Sequence, residues 1–274
     1  MSRVAAIDCG TNSIRLLVAD VSENNFREIT REMEIVRLGQ GVDATGQFDP
    51  EAIERTLNAT KKYAEIIQSK GVEKIRFCAT SATRDASNRE IFISGVKEIL
   101  GIEPEVIPGT EEAALSFLGA TKELKHAQTP YLVVDIGGGS TEFVFGEDEV
   151  KFSRSVDIGC VRMAERHLKV SPPKPLDFQN AIVDIDKAIH QAEALVPIKE
   201  AQTLIAVAGT ATTVAAAALD LDSYDRHAIH ISRIPARKVL EIAQRFQLMN
   251  RDEIAVLPYM HPGRVDVIAA GALV

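Results

Sequence analysis

One segment occurs twice in this 274-residue chain, and that repeat constrains the fold more than any other feature. Ala5-Ala6-Ile7-Asp8-Cys9-Gly10-Thr11-Asn12-Ser13-Ile14-Arg15-Leu16-Leu17-Val18 matches Leu132-Val133-Val134-Asp135-Ile136-Gly137-Gly138-Gly139-Ser140-Thr141-Glu142-Phe143-Val144-Phe145 at a constant offset of 127 residues. Asp8 falls on Asp135, Gly10 on Gly137 and Ser13 on Ser140. Each copy is an apolar run, a tight turn carrying Gly, and a second apolar or alternating run. That order predicts a β-hairpin with the Asp at the end of its first strand. Solenoid repeats have much shorter periods, so the offset points to a duplicated domain.

The intervening sequence alternates between strand and helix patterns. Pro50 to Ser69 has helical apolar spacing, with Asp49 as N-cap and Pro50 at the first position. Lys74 to Thr80 reads as a buried strand followed by a polar turn, Ser81 to Asp85. Arg89 to Leu100 reads as a helix stopped by Gly101, Glu105 to Ile107 as a short strand, and Thr110 as the cap of a helix reaching about Leu124. In the second half a hairpin spans Tyr131 to Gly146 and a third strand Val150 to Val156. Helices are expected over about 159–168 and 177–195, separated by Pro172, Pro173 and Pro175. Thr203 to Ala208 reads as a strand, Gly209-Thr210 as a turn into a helix over 211–219, and two further helices at about Pro235 to Gln247 and from Gly263 onward. The pattern is α/β, with mixed sheets flanked by helices. Two lobes are expected, 1–125 and 126–274, divided in the polar stretch Lys122 to Thr129.

Composition limits the function classes. Hydrophobic residues make up 46% and charged residues 26%, the balance of a folded globular chain of two domains. The longest apolar runs, such as Val214 to Leu219, are too short to span a bilayer, and the N-terminus enters a strand-like run without a signal-peptide core. Cys9, Cys78 and Cys160 are odd in number and scattered, which suggests neither disulfides nor zinc and makes a reducing cytoplasm the expectation. A net charge of −8 argues against general nucleic-acid or membrane binding. Positive charge is nevertheless concentrated at Lys151, Arg154, Arg162, Arg166, Lys169 and Lys174, and again at Arg226, Arg233, Arg237, Lys238 and Arg245. Any one such run is ordinarily a solvated face, but two in one half suggest a surface for a polyanion.

The chemistry is expected at the repeated turns. A Gly-rich turn can aim successive backbone N–H groups into one concavity, because no Cβ blocks an anion. Gly137-Gly138-Gly139-Ser140-Thr141 offers such a nest with two hydroxyls, and Gly10-Thr11-Asn12-Ser13 a less Gly-rich version. An acid beside a phosphate makes sense if a hard cation intervenes, and Mg²⁺ is held by one or two carboxylates with phosphate oxygens. Asp8 and Asp135 are therefore the metal candidates, and two facing turns would clamp one phosphoryl group and its Mg²⁺, or Mn²⁺ in its place. A lone Asp-x-Gly is usually only a turn, but structural turns have no reason to share Asp, Gly and Ser at matched positions. The Lys-Ser/Thr of a P-loop is missing, and the strand-turn-strand order lacks the helix of a dinucleotide fingerprint. Glu111 and Glu112 fall in the first turn of a helix, where the dipole favours their charge. A capping role accounts for one of them and leaves the other free. Alternation puts Glu142 on the face of Val144, where an unpaired acid is costly. A water attacking a phosphoryl group needs such a carboxylate, and Arg84, in the turn after a strand, is the candidate to neutralise charge on the transferred group.

Asp8 to Ser13, Ala79-Thr80-Ser81-Ala82-Thr83-Arg84, Gly109-Thr110-Glu111-Glu112-Ala113 and Asp135 to Glu142 follow one another in order, as do Gly159-Cys160-Val161-Arg162 and Ala208-Gly209-Thr210-Ala211-Thr212. Together they resemble the exopolyphosphatase and guanosine pentaphosphate phosphohydrolase family, of the actin, sugar kinase and Hsp70 ATPase superfamily. The resemblance covers essentially the whole chain and is to the short, two-domain members. It implies two similar ribonuclease H-like, actin-type lobes with the active site in the cleft between them. It also implies Mg²⁺-dependent hydrolysis of a terminal phosphoanhydride by water. By the same resemblance Glu112 is the general base and Glu142 a second acid that positions the water. Asp8 and Asp135 lie beside metal and phosphates, and Asn12, Ser13, Gly137, Gly138, Gly139, Ser140 and Arg84 contact phosphate. Gly209 and Thr210 lie where superfamily relatives approach a nucleotide. Family members continue past Gly271-Ala272-Leu273-Val274 into a last strand, a departure that leaves the packing of this end open. Inorganic polyphosphate is the expected substrate, guanosine pentaphosphate the alternative, and a nucleotide-switched binding protein a third reading that does not require both Glu112 and Glu142. A homodimer is compatible with the family.

Overall fold

The computed structural model describes residues 1–23, 25–124 and 127–274, which form two compact units, Met1–Pro108 and Gly109–Val274. The boundary expected at 125/126 falls on residues outside those described, and the division instead lies at Pro108/Gly109.

The first unit is built on a five-stranded sheet of order β3-β2-β1-β4-β5. Its strands are β1 (Ser2–Cys9), β2 (Ser13–Ser22), β3 (Asn25–Ile35), β4 (Lys74–Ala79) and β5 (Glu105–Val106). β1 and β2 form the expected hairpin, β3 adds antiparallel to β2, and β4 lies parallel to β1. Alternate residues of β1 and β2, among them Ile7, Ile14 and Leu16, enter a core with Phe77, Phe92 and Tyr63. The Tyr63 hydroxyl donates to the Ile14 carbonyl at 3.0 Å, so this buried polar group is satisfied. The helices are α1 (Val42–Thr45), α2 (Pro50–Ser69), α3 (Ser81–Asp85) and α4 (Arg89–Leu100). Residues 81–85 are thus a turn of helix and not the loop their polarity suggested. α4 ends at Gly101, whose φ of 70° is the left-handed cap that glycine favours.

α2 begins as its sequence dictates. Pro50 takes the first position, and Asp49 accepts from the amides of Glu51 and Ala52 at 2.8 and 3.2 Å. Asp49→Ala should therefore cost about 1 kcal/mol, the usual value of an N-cap, read as a lowered midpoint in urea unfolding.

The second unit repeats the plan. β6 (Tyr131–Ile136), β7 (Thr141–Gly146), β8 (Val150–Val156) and β9 (Thr203–Val207) form a sheet of order β8-β7-β6-β9, the same as β3-β2-β1-β4. The helix α5 (Gly109–Thr121) covers one face, packing Ala113 and Phe117 on Tyr131, Val133 and Val144. That packing explains why α5 belongs to this unit although it precedes the sequence boundary. It starts at Gly109, so Thr110 lies inside the first turn and is not its cap. The other face carries α6 (Cys160–His167) and α7 (Pro175–Glu193), packed on Leu132, Phe143 and Phe145. With both faces covered, every residue of β7 is buried.

A third cluster joins α8 (Ala208–Ala218), α9 (Arg226–Ile229), α10 (Ala236–Leu248), α11 (Arg251–Ala255) and α12 (Ile268–Gly271) through Val214, Ile242, Phe246 and Ile268. Gly209 and Thr210 lie within α8, and the helix expected from Gly263 is a short 3₁₀ turn, Pro262–Arg264, followed by the separate α12. Among the described residues no helix is long and apolar enough to cross a membrane.

Candidate functional site

The two hairpin turns share a backbone plan. Gly10 N–H donates to the Ser13 carbonyl at 2.9 Å, and Gly137 N–H to the Ser140 carbonyl at 3.0 Å. A Cβ at Gly137 would stand 2.9 Å from that same carbonyl oxygen, so the second turn closes too tightly for a side chain there. The carbonyls of each turn are tied from behind. In the first unit the Thr11 carbonyl accepts from Gly39 N–H, and the Asn12 carbonyl from the amides of Val36 and Arg37. In the second, the N-terminus of α6 does this work. Cys160 N–H donates to the Gly137 carbonyl at 3.0 Å, and Val161 and Arg162 N–H to the Gly138 carbonyl at 2.9 and 3.1 Å. Gly159 must be glycine for this approach, since a Cβ would meet the Gly138 carbonyl at 2.6 Å.

The strand register brings acids together in the second unit only. Asp135 pairs with Glu142 across the β6–β7 ladder, whereas Asp8 pairs with Arg15 at the matching place in β1–β2. Asp8 is half-exposed with the Arg15 guanidinium at 3.4 Å, a geometry worth little in water. Glu142, by contrast, is 1% exposed. Its Oε1 accepts from Ser140 Oγ at 2.8 Å and from Ser155 Oγ at 2.7 Å. Those donors favour the anion, but burial first, then the charges of Glu112 and Asp135, push its pKa up to about 8. Asp135 Oδ2 in turn accepts a close hydrogen bond from Ser116 Oγ. Glu112 and Ser116 are one turn apart on α5 and so share a helix face.

Several expected site residues converge within this unit. Asp135 is also the parallel partner of Val207, so α8 emerges beside the Gly137 turn, with its first-turn amides unsatisfied by the helix itself. Ala208 is left-handed at φ 69°, and the Gly209 carbonyl accepts from Arg264 Nη1 at 3.1 Å. Thr210, 5% exposed, turns its hydroxyl inward to Cys160.

The Ser140 and Thr141 hydroxyls both have partners within the unit. The Ser140 hydroxyl is held by Glu142, and the Thr141 hydroxyl donates to the Ile158 carbonyl at 2.7 Å on the opposite side of the strand. In the first unit, Asn12 and Ser13 sit in the tied turn, and the buried Oδ1 of Asn12 and Oγ1 of Thr11 have no hydrogen-bond partner among the described residues. Arg84, in the last turn of α3, donates through Nη1 to the Ile107 carbonyl at 2.8 Å.

Ser116 and Ser155 were missing from the sequence reading, and Arg162 entered it only as a basic residue and as part of the Gly159–Arg162 motif. Of the two serines only Ser116 had a usable signal, its spacing of one helical turn from Glu112. Among the described residues, no group of three or more His, Cys, Asp and Glu is arranged to hold a metal ion alone. A cation that takes one or two carboxylates and completes its shell with phosphate oxygens and water fits better. Asp135 and Glu112 provide hard oxygen donors beside the buried Glu142, whose own ionisation is opposed.

The arrangement can seat an anion on aligned amides next to carboxylates able to take a proton. Known proteins place it more narrowly. The model of the Ppx/GppA phosphatase family matches residues 17–274. Exopolyphosphatase 2 of Mycobacterium tuberculosis is 49% identical over all of this chain and 89% of its own length. A guanosine-5'-triphosphate,3'-diphosphate pyrophosphatase of Photobacterium profundum is 34% identical over 70% of this chain and 38% of its own. Among solved structures, an exopolyphosphatase-like protein superposes with a TM-score of 0.95 at 44% identity, covering 99% of this chain and 86% of that one.

Proposed function

The chain belongs to the Ppx/GppA phosphatase family, and from that membership we propose that it is an exopolyphosphatase, cleaving the terminal phosphoanhydride of inorganic polyphosphate to release orthophosphate. The observation that carries this reading is the buried Glu142, held by Ser140 and Ser155 beside Glu112 and Asp135 at the mouth of an amide nest. A turn that only bound an anion would gain nothing from three acids at its edge, because their charge opposes binding. Water attack on a phosphoryl group, in contrast, needs a carboxylate to orient the nucleophile and take its proton.

In this mechanism the amides of the Gly137–Ser140 turn and the first turn of α8 hold phosphate oxygens. Glu112 takes the proton of the attacking water, and Glu142 fixes that water's orientation. Asp135 is the carboxylate offered to Mg²⁺, or to Mn²⁺, which supplies charge neutralisation for the phosphate oxygens when bound.

The basic runs contribute less than their composition suggested. Lys151 pairs with Glu147, Arg166 with Asp184, and Arg237 and Lys238 with Glu241. These pairs reduce the positive charge left for a long polyanion. The pyrophosphatase relative therefore keeps guanosine pentaphosphate as the second reading. Purified protein with Mg²⁺ is expected to release orthophosphate from polyphosphate with a higher kcat/KM than from guanosine pentaphosphate. The reverse ranking would exchange the two substrates, and release from neither would remove the hydrolase.

A further inference from the structure

The third carbonyl of the Gly137–Ser140 turn is held differently from the first two. Backbone amides of α6 tie the Gly137 and Gly138 carbonyls, but the Gly139 carbonyl accepts from a side chain, Arg162 Nε, at 2.6 Å. In a planar trans peptide the C=O of one residue and the N–H of the next point in opposite directions. Fixing the carbonyls of Gly137, Gly138 and Gly139 on the α6 side therefore aims the amides of Gly138, Gly139 and Ser140 away from it. The last of these three amides is aimed by Arg162. The first unit makes the comparison instructive, because its Thr11 and Asn12 carbonyls are tied by backbone amides of residues 36–39.

We propose that Arg162 is a positioning residue, which orients the Ser140 peptide so that its amide faces the bound phosphoryl group. This rests on the phosphohydrolase reading above. The same bond acts on Glu142, since the Ser140 hydroxyl that donates to Glu142 is carried by the peptide that Arg162 fixes. Arg162 thus couples the two halves of the site, the anion nest and the buried carboxylate. Its guanidinium also adds a positive charge behind the turn, which strengthens the field felt by an anion in front of it.

The test compares Arg162→Met and Arg162→Lys. Removing one well-placed donor in comparable sites costs on the order of 100- to 1000-fold in kcat. A misaimed amide should cost less, about 10- to 100-fold in kcat for Arg162→Met, with weaker binding of inorganic pyrophosphate by calorimetry. Arg162→Lys retains a donor and the charge, so it should recover part of both losses. If both variants lower only the thermal midpoint and leave kcat and pyrophosphate affinity unchanged, Arg162 is merely structural and the proposal fails. Should Arg162→Met not fold, the Lys variant decides alone, with wild-type kcat and affinity again counting against it. Absence of phosphate release by the wild type would overturn the hydrolase reading, and pyrophosphate binding would still judge Arg162.

Discussion

Glu112→Gln is expected to lower kcat for phosphate release by about 100- to 10,000-fold, the usual contribution of a general base, while KM changes little. Gln keeps the size of the side chain but loses its negative charge and its capacity to accept a proton. The geometry selects this Glu over its neighbour. α5 buries Ala113 and Phe117 against the sheet, and Ser116 reaches Asp135. Glu112 lies one turn before Ser116, and its charge is felt at Glu142. Glu111 is rotated by about 100° from that face, following the 3.6-residue turn. Glu111→Gln should therefore lose far less activity. The measurement is steady-state phosphate release with Mg²⁺, together with pyrophosphate binding to show that the nest survives. Turnover near the wild-type rate in Glu112→Gln, or a larger loss in Glu111→Gln, would remove Glu112 from the proton-transfer step.

What made these acids visible in the sequence was repetition. Asp8 and Asp135 share their turns, their strand register and the Gly N–H to Ser carbonyl bond, so the offset in sequence became an identity of backbone. Glu142 was legible from alternation, because β7 places it and Val144 on one face and Phe143 and Phe145 on the other. Strand β3 was not legible. Its sequence, Asn25-Phe26-Arg27-Glu28-Ile29-Thr30-Arg31-Glu32-Met33-Glu34-Ile35, is that of a charged sheet edge, whose outer residues face water and break the apolar pattern. The contacts of Ser155 and Arg162 escaped for a different reason. Ser155 reaches Glu142 only through the β7–β8 register, which shifts at Phe145/Gly146. Arg162 reaches Gly139 only once α6 has docked behind the turn. The partners of the Ser140 and Thr141 hydroxyls were not legible because a turn sequence lists its donors without the groups that accept from them. For Thr141 that partner was Ile158, 17 residues away.

Glu142→Gln should separate stability from function in one substitution. In the metal-free protein the Glu142 pKa is raised from its ordinary 4.5 to about 8, first by burial and then by Glu112 and Asp135. The folded state thus holds the proton more tightly than the unfolded chain. For such a group, stability is unaffected below about pH 4.5, falls as pH rises toward about 8, and is level beyond it. Gln carries no charge at any of these values and can still accept from Ser140 and Ser155 through its amide oxygen. The variant should accordingly have the same thermal midpoint as the wild type near pH 4 and a higher one at pH 8, measured with chelator present. Its kcat should be strongly reduced at pH 8, where the wild-type group ionises, because an amide cannot orient the water as a carboxylate does. The wild type carries this destabilising acid at a buried position, and the repulsion from Glu112 and Asp135 adds to it. An acid kept under those conditions is the signature of chemistry outweighing stability. A midpoint that is lower than wild type at pH 8 would show that Glu142 serves the fold, and retained turnover would show that it does not serve the reaction.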